Sequence, residues 1–154
     1  MRTIVSILAF AVAVPTFAPI ASAAPATKGG KSAAATQVRA ILVYASNKKG
    51  GVDRRLAAYA DNLKRNLPFD TFRFGGEGAS TLSKGGHATI TFAGDHRVEL
   101  QDDPGDGLRL KAYWMKSSEV IISTTLTLVP GVPGVLVRRG AGDGEVPVVL
   151  LIAR

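Results

Sequence analysis

From Val38 to Ala45 (VRAILVYA) apolar residues are almost continuous, the pattern of a β-strand covered on both faces. Ser46-Asn47-Lys48-Lys49-Gly50-Gly51 breaks the run. Beyond it Leu56, Ala60, Leu63 and Leu67 fall on one helical stripe, while Arg54, Arg55, Asp61, Lys64 and Arg65 lie elsewhere. Asp53 is a suitable N-cap and Pro68 a stop, so the spacing predicts one helix from Asp53 to about Leu67. From Phe69 onward the period changes to two. Phe72 and Phe74, then Ala88, Ile90 and Phe92, then Val98 and Leu100, then Leu108, Leu110, Ala112 and Trp114 each alternate with polar neighbours. Glycine-rich breaks at Gly75-Gly76, Gly85-Gly86, Gly94-Asp95 and Asp102–Gly107 separate these runs, as in an antiparallel meander with one wet face.

Requiring apolar side chains to meet on one face suggests a register. Leu100 opposite Leu108 places Val98 opposite Leu110, Glu99 opposite Arg109, and Arg97 across from Lys111. Around Gly94-Asp95 an even loop would mix the faces, so an odd loop with a Gly bulge is expected, pairing Phe92 with Val98. Glu119–Val129 is a long β-rich run, followed by the Pro130–Gly134 turn and a short strand near Val135–Arg138. The last strand is Val146–Ile152, with Pro147 marking an edge or a strand start. The fold class expected is α+β: a mainly antiparallel sheet or sandwich of six to eight strands, with one α-helix from the N-terminal half packed on it.

The start of the chain follows a different plan. Arg2 supplies one positive charge, Ile4–Val14 is apolar, and Ala21-Ser22-Ala23 presents small residues. These are the three parts of a cleavable secretory signal, expected to be cut after Ala23. The apolar part is about half the roughly 20 residues of a membrane-spanning helix. Residues 24–36 (APATKGGKSAAAT) read as a flexible linker, too poor in large apolar groups to order themselves. Residues 37–154 are expected to form one domain, exported to the periplasm or the extracellular space, with no transmembrane span in the mature chain. The sequence contains no cysteine, so that domain must be held by core burial rather than disulfides, which a chain of about 120 residues can achieve.

The formal charge of +7 falls to +6 once Arg2 leaves with the signal, and to +4 once Lys28 and Lys31 of the linker are set aside. The cations are scattered rather than clustered, which argues against nucleic acid as a partner.

Candidate chemistry is sparse. His87, Asp95 and His96 could supply zinc ligands, but nothing in their spacing demands it. Asp102-Asp103-Pro104-Gly105-Asp106-Gly107 invites calcium, yet Pro104 stands where an oxygen ligand is needed, and the same residues suit a hairpin turn. No nucleophile elbow or phosphate loop occurs. Catalytic, cofactor-binding and metal-binding residues are therefore not assigned, and no cofactor is expected. Two binding sites stand as candidates. One is a face made by Arg97, Arg109, Lys111, Tyr113 and Met115, where cations, an aromatic and a thioether project together. The other is the loop Ser46-Asn47 at the end of the first strand, where open α/β sheets often bind ligands.

Val38–Asn47 with the Asp53–Leu67 helix, Leu67-Pro68-Phe69 and a β meander ending in a Pro-Gly-x-Pro turn resembles small exported bacterial proteins of unknown function. The resemblance implies no activity and no site residues. The function expected is non-enzymatic binding to another envelope or secreted protein. Binding of anionic glycans or lipid headgroups is the alternative, and a hydrolase with an unrecognised site comes third.

Overall fold

The computed structural model describes residues 35–138 and 144–154. The signal and all but the end of the linker lie outside the described residues, and Thr36 already belongs to the first strand. Strands are β1 (Thr36–Ser46), β2 (Thr71–Leu82), β3 (His87–Thr91), β4 (His96–Asp102), β5 (Leu108–Lys116), β6 (Glu119–Leu128), β7 (Gly134–Val137) and β8 (Val146–Ala153). They form two antiparallel four-stranded sheets, one in the order β2-β1-β8-β7 and the other β3-β4-β5-β6.

Both apolar strands sit at the centre of the first sheet, paired with each other. Their alternate residues enter two different cores. Val38, Ala40 and Leu42 of β1 join Val149 and Leu151 of β8 between the sheets, against Val98, Leu100, Leu110 and Trp114. Ile41, Val43, Val148 and Leu150 face the other way, beneath Leu56, Leu63 and Leu67. The molecule is thus an α+β sandwich of helix, sheet and sheet, as the hydrophobic pattern predicts. Pro147 is the second residue of β8, which is an interior strand, so it marks a strand start and not an edge.

The helical segment begins where expected. The Asp53 carboxylate accepts from the Arg55 backbone N–H at 3.0 Å and from its guanidinium, which together hold its pKa down to about 2. The segment nonetheless winds as a 3₁₀ turn over Arg54–Tyr59 before becoming α1 (Ala60–Asn66). Two arginines in its first turn oppose the helix dipole.

Three expectations of pairing need correction. Gly75-Gly76 does not separate two strands: β2 runs through, and Gly75 is an extra residue bulged between the partners of Leu42 and Val43. The turn between β3 and β4 is odd, but it is a three-residue loop, Ala93-Gly94-Asp95. The ladder has no bulge, and Ile90 rather than Phe92 meets Val98. Between β4 and β5, Leu100 lies opposite Ala112, Glu99 opposite Tyr113, and Arg97 opposite Met115. Period-two patterning fixes which face a residue takes, but an even slip leaves every apolar residue inside. Here a longer loop carries the pairing four residues further, which seats Trp114 against Val98.

Where the edges of the two sheets come together, side chains are omitted. A Cβ on Gly78 would lie 2.6 Å from Ile90 Cγ2, so β2 can pass this close to β3 only without a side chain there. Gly78→Val should therefore cost about 1–3 kcal/mol, read as a lower denaturation midpoint at unchanged m-value. A variant as stable as the wild type would show that the approach is not required.

Candidate functional site

Sheet faces differ in what covers them. The first sheet has the second sheet on one side and the helical segment on the other. The second sheet turns Val98, Leu100, Leu110, Ala112 and Trp114 inward, which leaves its outer face to the alternate, polar positions. Arg97, Arg109, Lys111, Tyr113 and Met115 all lie on that face, as their spacing predicts.

What they do there is more constrained than sequence suggests. Asp103, with a side chain only 17% exposed, pairs with Arg109 Nε at 2.9 Å and with Lys111 Nζ at 3.4 Å. Arg97 lies 3.2 Å from the Glu99 carboxylate and reaches Met115 Sδ at 3.5 Å. Met115 is buried beneath it, leaving 8% exposed. Lys111 stands across from Gln101, not Arg97. Three cations therefore meet two carboxylates, and the face is held in shape by its own ion pairs. Such exposed pairs contribute about 0–1 kcal/mol each, so their consequence is orientation more than stability.

Beside Tyr113 the face sinks into a shallow hollow of about 180 Å³ bordered by His87, Thr89, Glu99 and Gln101. Of these four only His87 stands out in the sequence as a site candidate, for zinc with Asp95 and His96, and the structure does not gather those three. The signal that could have found them is parity: each occupies an outward position, with His87 opposite Gln101 and Thr89 opposite Glu99, which in turn stands opposite Tyr113.

The chain matches no family model, no curated protein and no solved structure to which it was compared. Function must therefore be argued from this geometry.

The Ser46-Asn47 loop gathers no such arrangement. Ser46 is buried, and its carbonyl accepts from the Asp70 N–H at 3.2 Å. Asn47 is exposed, and Thr71 Oγ1 binds the Lys48 carbonyl at 2.6 Å, pinning the loop to β2. The acidic turn is also occupied with its own structure. The Asp102 carboxylate accepts from the Gly85 N–H at 2.6 Å, and Asp103 holds its two cations. Among the described residues no three His, Asp or Glu side chains gather in a way that could hold a metal ion. Nor is any described helix long and apolar enough to cross a membrane.

The two histidines have opposite fates. His87 opens β3 on the exposed face. His96 is buried at the other end of the β3–β4 hairpin, its Nδ1 accepting from Trp114 Nε1 at 3.1 Å, with Tyr44 edge-on at 6.4 Å. An imidazole that accepts at Nδ1 carries its proton on Nε2 and is neutral. Burial, aided by Lys116, lowers its pKa, with Asp95 opposing. His96 thus serves the core, and the two rings do not converge on one site.

Proposed function

We propose that this chain is an exported, non-enzymatic binding module that engages another envelope or secreted protein through the outer face of its second sheet. The observation that carries the reading is a combination on one sheet face: half-buried Tyr113 beside a shallow hollow, and, on the same face, two arginines and a lysine already oriented by carboxylates. Aromatic and Arg side chains are the common anchors of protein interfaces, and prior orientation lowers the entropic cost of docking. Arg2, the apolar Ile4–Val14 and Ala21-Ser22-Ala23 support export. The anionic-glycan and lipid-headgroup reading gains less support, because Asp103 and Glu99 compensate most of the positive charge such ligands would need.

A photoreactive phenylalanine at position 113, set against one at Arg65 on the exposed side of α1, tests the reading. The accumulated protein should begin at Ala24, and position 113 alone should yield a discrete adduct in envelope extract. That adduct should persist at about 0.5 M salt, where exposed charges are screened beyond about 4 Å. Tyr113→Ala should weaken the captured complex by about 2 kcal/mol, roughly 30-fold. Equal labelling from both positions would reject the face as the binding surface.

A further inference from the structure

Four strands form the edges of the two sheets, and three of them are protected. β7 has four residues and follows Pro133. β3 has five and lies against β2 at the Gly78–Ile90 approach. β2 is kinked by its bulge and carries Arg73 and Glu77. Short length, charge, proline, bulges and cover are the devices by which natural sheets blunt an edge.

β6 shares such cover at its last residues, where a Cβ on Gly134 of β7 would lie 2.8 Å from Leu128 Cδ2 and 3.0 Å from Leu126 Cδ1, but it is neither short nor, after Glu119, charged. It is ten residues long, hydrogen-bonded only to β5 among the described strands, and its one register shift lies at its first turn of pairing, beside Met115. After Glu119 there is no charged residue until Arg138. The large apolar side chains that stand exposed among the described residues, Val120 at 52%, Val129 at 57% and Val132 at 53%, all belong to this same stretch. Two independent features, an unpaired backbone edge and the exposed valines, coincide at one border of the molecule.

We propose that β6 pairs antiparallel with β6 of a second copy, joining two four-stranded sheets into one of eight strands across a two-fold axis. The occupant follows from charge. The chain is net positive, so two copies repel wherever their cations face each other. This edge is a border at which they can meet without like charges.

Register follows from parity. Inward residues must meet inward residues, so a two-fold axis passing through Thr124 sets Ile122 against Leu126 of the second copy and Ser123 against its Thr125. Val120, which the register shift turns to the outer face opposite Met115, approaches the second copy's Thr127 and Val129, so that valines each copy exposes alone are covered. The backbone amides and carbonyls of the free edge gain partners, which is the energetic basis of strand addition.

Sedimentation of the protein, in the form that cells accumulate, tests this directly. Between about 1 and 500 μM a reversible monomer–dimer equilibrium is expected, as suits an interface at the small end of specific contacts. Ser123→Lys at the centre and Val120→Arg at the end should each leave a monomer with unchanged circular dichroism and unfolding midpoint, since both positions are exposed. A wild type that stays monomeric across the range overturns the proposal, and so does a dimer that survives both substitutions. The photoadduct at position 113, measured in the Val120→Arg monomer, keeps this outcome separate from that of the binding face.

Discussion

Trp114→Ala should remove about 3–5 kcal/mol of stability, a large part of the 5–15 kcal/mol typical of a domain. Trp114 is fully buried between the sheets, with Val98 and Ile122 as its cross-strand neighbours. Its truncation opens a cavity that two hydrogen-bonded sheets cannot collapse to fill, and it leaves His96 Nδ1 without its donor. The melting temperature should fall by roughly 10–25 °C. Trp114→Phe separates the two contributions, since it keeps most of the ring volume and removes only the indole N–H. It should cost about 1–2 kcal/mol. Because the chain has a single tryptophan, circular dichroism must follow unfolding in these variants. A Trp114→Ala loss below about 1 kcal/mol would mean that this ring is not central to the core.

Trp114 also shows what could be read from the sequence. Its inward orientation was legible, because Leu110, Ala112 and Trp114 alternate with Lys111 and Tyr113. Its partner was not. The pattern accepts any even offset between β4 and β5, and the choice between Leu108 and Ala112 opposite Leu100 is made by loop length and by the space that a large ring needs. Likewise the unbroken apolar run of β1 announced a strand buried on both faces, whereas in β8 Pro147 left an edge or a strand start open. Nothing local announced that the first and last strands pair with each other, a contact between residues as far apart as Val38 and Ala153. Gly75-Gly76 reads as a turn and is a bulge, since glycine permits either and only the neighbouring strand decides.

The candidate face was legible for the same reason that its chemistry was not. Alternation along β5 put Arg109, Lys111, Tyr113 and Met115 on one side, and the structure keeps them there. Asp103 lies in a loop with no periodicity, so its grip on Arg109 and Lys111 could not be anticipated, and with it went the impression of a free cationic patch. The edge of β6 shows the reverse case. Its lack of charge is plain in the sequence, but it acquires meaning only when the strand order places it at a border.

Stability should fall as the pH drops below about 6.5, and His96 should be the cause. Its pKa is lowered in the fold, first by burial and then by Lys116, its ladder partner on β5, while Asp95 in the adjoining loop opposes the shift. The unfolded chain therefore binds the proton at a higher pH than the native one, so stability is complete above the unfolded value near 6.5 and is lost as the pH falls toward the folded value. Protonation also turns Nδ1 from an acceptor into a donor facing the Trp114 N–H, so the charged form opposes the contact that the neutral form makes. Asp53 titrates in a separate window: its folded pKa of about 2 lies below the ordinary 3.8, and its contribution is lost only as the pH falls between those values. His96→Gln, which offers a carbonyl acceptor and does not titrate, should flatten the denaturation midpoint between about pH 7 and 5. His96→Leu should flatten it too, and at pH 8 it should cost about 1–3 kcal/mol for the orphaned indole N–H. If His96→Gln keeps the wild-type slope, the acid sensitivity belongs to other groups. If both variants lose it and only His96→Leu is weakened at pH 8, the buried imidazole is at once the acceptor that locks the end of the β4–β5 hairpin and the group that releases it in acid.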